Sequence, residues 1–240
     1  MAWKSSRTFV PFRFLDLPPE LRNRVYCYAL ESAEEIGLQQ PSWIEGPQPI
    51  REPPSRRSEK LTIQLLATCK LVHKEATPIL YANNTFQPLP DMQLRHFLNQ
   101  IKTSSKYLHH IGITFHESYS RKDFGKLLTQ VKKLEQLETL TLDLLYGSGA
   151  MRFAEMFKTP EALARTMGPM LRGLHRAQKK DKERKMRGVI GVLQICVQNP
   201  ENDAQDVEQV QEKLLRLKDD AVAIVEKTLE KPGPLKRNFS

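Results

Sequence analysis

Paired cysteines, long apolar runs and recognisable catalytic motifs are all missing from this chain of 240 residues. The three cysteines, Cys27, Cys69 and Cys196, stand far apart and outside any C-x-x-C pair. That excludes a disulfide framework and a thiol-rich zinc site, and leaves buried thiols of a reducing compartment as the expectation. No stretch approaches the roughly 18 consecutive apolar residues of a membrane span. The opening MAWKSSRTFVPF lacks the apolar segment of a secretion signal. The expected location is cytoplasmic or nuclear, with no membrane contact.

Catalytic signals are equally scarce. No Ser, His and Asp set has a nucleophile context such as G-x-S-x-G. Gly147, Ser148 and Gly149 follow a predicted strand, but Arg152 occupies the place of a third glycine and no Lys-Ser or Lys-Thr ending follows, so the stretch reads as a loop between strand and helix. His109, His110 and His116 invite a metal reading. Strand alternation puts only His110 and His116 on one face, and no nearby cysteine or carboxylate completes a tetrahedral set. No catalytic residue, metal or cofactor is therefore expected, and the chain reads as non-enzymatic.

What is present is an ordinary globular composition: 40% hydrophobic and 27% charged residues, in a chain long enough for one sizeable core or two small ones. The net charge of +9 permits nucleic-acid or acidic-protein partners without specifying a fold. The strongest local signal is FRFLDLPPELRNRVYCYAL, residues 12 to 30. Pro18 and Pro19 suit a first helical turn, where a missing N–H costs nothing, and Glu20 can reach back to an orphan donor. A helix is predicted from about Pro18, with Leu17, Leu21, Val25, Tyr28 and Ala29 as its apolar stripe and Arg22, Asn23 and Arg24 facing away.

Leu17, Pro18, Glu20, Leu21 and Val25 stand in the order L-P-x-E-L-x-x-x-[IV], which resembles the opening of an F-box. Together with LLATCKLVHKEATPILYANNTF further on, the stretch is similar to a large family of F-box-like proteins of filamentous fungi. The resemblance covers residues 12–30 and 61–86, about a fifth of the chain. It implies an adaptor that docks on a Skp-type subunit of a cullin ubiquitin ligase through Leu17, Pro18, Leu21, Val25 and Tyr26, and holds an unknown protein substrate elsewhere. The physical alternative is an internal cap, in which the same helices bury Leu17, Leu21 and Val25 against the rest of the chain.

Between these two blocks lie five prolines at positions 41 to 54, so residues 31–60 are predicted as an exposed insertion. Ser58 is a candidate cap for a following helix whose apolar face is Leu61, Leu65, Leu66, Cys69, Val72, Ala76, Ile79 and Leu80. Pro78 should end or kink it near Thr77.

The remainder carries an internal repeat of the form L-x-x-L-x-L-x-L. Its copies are Leu108, Ile111, Ile113, Phe115; Leu137, Leu140, Leu142, Leu144; and Ile190, Leu193, Ile195, Val197, with a fainter one at Tyr81 and Phe86. Helical patterns at 91–101, 122–137 and 159–174 separate them, and strand-helix-strand order implies a parallel sheet. The fold class is therefore α/β: F-box-like helices, then irregular βα units in a small, mainly parallel sheet resembling a leucine-rich-repeat array, then a long C-terminal helix. The repeat's asparagine ladder is missing, since His116, Leu145 and Gln198 stand in its slots, which keeps a plain α/β sheet in play. The domains are drawn as 12–86 and 87–231, with flexible tails at 1–11 and 232–240.

The last helix is predicted from about Ala204 to Lys231, with Val207, Val210, Leu214, Leu217, Ala221, Ile224 and Thr228 on one face and Pro232 ending it. Its stripe suits a coiled-coil seam or the chain's own sheet. Small or polar members weaken a seam, and a parallel sheet needs helical cover, so intramolecular docking through Leu214, Leu217 and Ile224 is expected. The basic run 175–187 includes Arg176, Lys179, Lys180, Lys182, Arg184, Lys185 and Arg187. It reads as a solvated helix extension or loop, with a nuclear-import or nucleic-acid patch as the alternative.

Overall fold

A computed structural model describes residues 12–38, 61–88, 91–115, 119–145, 147–180, 192–198 and 204–230. A 3-10 turn at Phe14–Asp16 leads into α1 (Pro19–Leu30), followed by β1 (Ile36–Leu38), a second 3-10 turn at Ile63–Ala67, α2 (Lys70–Asn83) and β2 (Thr85–Pro88). Then come α3 (Asp91–Ile101), a 3-10 segment at Lys102–Tyr107, β3 (His110–Phe115), α4 (Arg121–Val131) and β4 (Thr139–Leu145). The chain continues through α5 (Ser148–Met156), α6 (Pro160–Lys180), β5 (Leu193–Gln198) and α7 (Ala204–Glu230). The fold is α/β, as the sequence implies.

The five strands among the described residues are parallel and lie side by side in chain order, β1-β2-β3-β4-β5. Each crossover therefore steps the same way across the sheet, and right-handed connections of this kind gather the helices on one face. This is the stacking of a repeat array, not the reversing order of a doubly wound sheet. The repeat copies become the register: Ile111 lies beside Leu140 and Leu140 beside Leu193, then Ile113, Leu142 and Ile195, then Phe115, Leu144 and Val197. The faint copy takes its place too, with Phe86 beside Ile111. A period of two sends all these side chains to the helix-covered face, where Phe115 meets Phe124 of α4 and Phe153 of α5 at ring separations of 5.9 and 5.3 Å.

Local chemistry sets the helix starts. Ser120 Oγ accepts from Asp123 N at 3.2 Å to open α4. Gly147, at φ 82°, makes the left-handed turn into α5. α5 begins at Ser148, so Ser148 and Gly149 belong to its first turn and not to the loop expected there.

Four other expectations change. Part of the predicted insertion, Ile36–Leu38, is the edge strand β1, paired with β2, because Leu38 has core surface to cover. Pro78 sits inside α2 without ending it; the last turn is held by Asn84, whose Nδ2 donates to Leu80 O at 2.8 Å and to Leu30 O at 2.7 Å. The boundary drawn at 86/87 falls inside β2, and one continuous core runs from Tyr26 to Val225. The thiols are not all buried: Cys69 and Cys196 are exposed and Cys27 half-buried, Cys196 because it alternates outward on β5. Ser58, the insertion from 39 to 60, His116, both tails and Pro232 lie outside the described residues.

At the far edge α7 packs on α6 and β5. Leu214, Ala221, Val222 and Val225 are buried, while Leu217 and Ile224 are half-buried against the core, so the helix docks within its own chain. Gln211 faces the last strand with its amide: Nε2 donates to Ile195 O at 2.6 Å, and Val197 N donates to its Oε1 at 2.7 Å. An open strand edge is thereby occupied by a side chain that copies a backbone partner.

Candidate interaction surfaces

α1 keeps Asn23 and Arg24 exposed, as expected, but exchanges the places expected for Arg22 and for Leu21, Val25 and Tyr28. Its buried residues are Arg22, Tyr26 and Leu30, a run of i, i+4, i+8 that faces α2, whereas Leu21, Val25 and Tyr28 are 44%, 42% and 88% exposed. Leu17 is half-buried and Pro18 exposed. Arg22, expected to face solvent, instead grips Glu75 of α2 through two bonds, Nη2 to Oε1 at 2.6 Å and Nε to Oε2 at 2.9 Å. Its Nη1 donates to Leu17 O at 2.6 Å and Leu15 O at 3.2 Å, which ties the 3-10 turn to the helix. Tyr26 Oη donates to Glu75 Oε2 at 2.9 Å.

The expectation of Tyr26 as a surface anchor is corrected: the ring is 0% exposed, edge-on to Phe14 at 5.7 Å, because its hydroxyl has a charged partner inside. The Arg22 hydrogen bonds hold the Glu75 carboxyl below its ordinary value, while burial and then Glu75 push the Tyr26 hydroxyl up to about 12. A bidentate guanidinium-carboxylate pair fixes both distance and angle, so the outward face of α1 is held rigidly. Among the described residues, Phe12, Leu15, Leu21, Val25, Tyr28, Ile63 and Leu71 make up all the exposed large apolar side chains except Met151. All seven belong to the first two α-helices, the 3-10 turns before them or the residues leading into them.

The second surface is the face of the sheet opposite the core. Its rows read Thr85 beside His110 and Thr139; Gly37 beside Gln87, and Gly112 beside Thr141 and Gln194; and Thr114 beside Asp143 and Cys196. Gln194 and Cys196 are exposed, and Gln87, Thr141 and Thr114 half-buried. Asp143 is nearly covered and accepts from Gln87 Nε2 at 2.8 Å. Partial loss of hydration and the Asp143 charge raise the Glu35 carboxyl above its ordinary range; partial loss of hydration, Asp143 and Glu35 raise the exposed Cys196 thiol. Gly112 leaves room there, since an added Cβ would touch Gln87 Cγ at 3.4 Å. The repeat predicts the apolar side of each strand; the polar side carries no sequence signal beyond alternation.

Of the basic run, α6 carries the beginning, with Arg176 exposed and Lys179 and Lys180 in its last turn. Lys182, Arg184, Lys185 and Arg187 lie outside the described residues. No described helix is long and apolar enough to cross a membrane. No protein-family profile, curated protein or solved structure matches the chain.

Proposed function

We propose that this protein is a non-enzymatic adaptor. Its N-terminal helices dock on a Skp-type subunit through Leu17, Pro18, Leu21 and Val25, and the polar face of its sheet holds a protein substrate for a cullin ubiquitin ligase. The observation that carries this reading is the outward apolar stripe of α1, with Leu21 and Val25 exposed while Arg22 and Tyr26 face the core. An internal cap requires the reverse, with Leu17, Leu21 and Val25 inside the chain. Rigidity adds support, because a docking helix already fixed by the Arg22–Glu75 pair loses little freedom on association.

The test is co-purification of the full chain with a Skp-type adaptor, wild type against Leu17→Ala/Pro18→Ala and Leu21→Ala/Val25→Ala. Wild type should be retained and both double variants lost, with circular dichroism unchanged. A wild-type chain that passes through unretained overturns the ligase reading.

A further inference from the structure

His109 and His110 precede and open β3, and Glu138 stands just before β4. Pairing of these two strands brings all three to one end of the sheet. The backbone there is fixed, since Glu138 N and Thr139 N both donate to His109 O, at 2.7 and 3.0 Å. All three side chains are half-buried, and one ligand atom from each lies within 4.8 Å of the others; His109 Nδ1 and Glu138 Oε1 are 3.4 Å apart. Glu138 lies 28 positions from His110 along the chain, so it joins the two histidines only through strand pairing.

We propose that His109, His110 and Glu138 form a three-ligand site for a divalent transition metal ion, zinc above others. Two imidazoles and one carboxylate are a donor set that zinc accepts, with a fourth position left to water or an incoming group. One oxygen donor is too few for calcium or magnesium. Zinc bonds of roughly 2.0–2.1 Å put tetrahedral ligand atoms on the order of 3.4 Å apart, the spacing that His109 Nδ1 and Glu138 Oε1 already have. Bringing in the third takes a side-chain rotation that shortens the remaining gaps by at most about 1.4 Å.

A second observation is independent of the cluster itself. His109 Nε2 lies 3.2 Å from Gln136 Oε1, and His110 Nδ1 lies 2.7 Å from Thr139 Oγ1. Metal-bound histidines characteristically donate their other ring N–H to such an oxygen, which fixes tautomer and ring orientation. Coordination through His109 Nδ1 and His110 Nε2 keeps both of these bonds. The simpler arrangement for the same residues is a His109–Glu138 ion pair that takes up no metal, and the experiment separates the two.

The full chain, freed of metal by chelator and dialysis, is titrated with zinc chloride and with cobalt chloride. One equivalent of zinc should bind, and cobalt should give the visible absorption of a four-coordinate ion. His109→Ala, His110→Ala and Glu138→Gln should each weaken zinc at least about tenfold, and Gln136→Ala by a similar factor through lost ring orientation. His73→Ala and His96→Ala should leave binding unchanged. If His110→Ala fails to fold, Glu138→Gln is decisive, because it is nearly isosteric and should lose the zinc-dependent rise in Tm seen in wild type. No stoichiometric zinc uptake, or uptake unaltered by Glu138→Gln, overturns the site.

Discussion

The first and last α-helices of this protein obey the same periodicity and meet opposite fates. Both α1 and α7 carry apolar residues at three-and-four spacing. In α7 that stripe is pressed inward, with Leu214, Ala221 and Val225 buried between α6 and β5. In α1 the stripe of Leu21, Val25 and Tyr28 points outward, and the helix is held from its other side by Arg22, Tyr26 and Leu30. Periodicity thus identifies a face without saying what covers it. A face that would be buried on hydrophobic grounds stays out when a polar pair of better geometry claims the inside.

The contrast is broken most severely at α7. Leu214→Ala should cost about 2–5 kcal/mol, since a fully buried leucine leaves a cavity that packed helices only partly close. Leu217→Ala, at a half-buried position, should cost less, and urea denaturation measures both. Equal costs would mean that the stripe is buried more uniformly than it is here.

Next in size is the polar hold on α1. Tyr26→Phe removes one hydrogen bond to a charged acceptor and keeps the ring, so the expected loss is about 1.5–3 kcal/mol by the same assay. A neutral outcome would mean that burial of the ring alone seats the helix.

The two helices should also part company with pH. Glu75 titrates lower in the folded chain than its ordinary 4.5, so it stabilises the fold above that value and the contribution fades as pH falls through the folded value. Tyr26 is shifted the other way, up to about 12 from an ordinary 10, so its contribution is intact below pH 10 and disappears as pH climbs toward 12. Wild-type Tm should therefore fall between pH 5 and pH 3 more steeply than that of Glu75→Gln; parallel curves would remove Glu75 from the account. Substitutions in the apolar α7 stripe should leave both limbs of the pH profile in place.

The smallest effect on stability is the most informative. Leu21→Ala/Val25→Ala should change folding free energy by only about 0.5 kcal/mol per site, as for exposed positions, while abolishing adaptor retention. A large loss of stability would place those side chains in the chain's own core.

Much of the α/β fold is legible in the order of the residues, and for a definite reason. A buried parallel strand must be apolar at every second residue, and helices between such strands must show a period near 3.6, so the copies at Leu108, Leu137 and Ile190 announce β3, β4 and β5 and even their register. β1 escapes because three residues, Ile36–Leu38, are too short to show alternation and acquire strand character only by pairing with β2. Pro78 misleads for a related reason: the disruption it causes is local, whereas Val72, Ala76 and Leu80 hold α2 to the core on both sides of it.

What the sequence alone determined is therefore much of what depends on near neighbours along the chain: the longer helices, the strands β3 to β5, and which positions along each are apolar. Only the tertiary structure decided matters that depend on residues far apart in sequence. Glu75, 53 positions from Arg22, turns α1 over so that its charged residue faces inward and its leucine outward. Glu138 reaches His109 through strand pairing, and Asp143 meets Gln87 across the sheet. Periodicity is set by one element's own geometry, but the partner of a charged side chain is fixed only when the chain closes on itself.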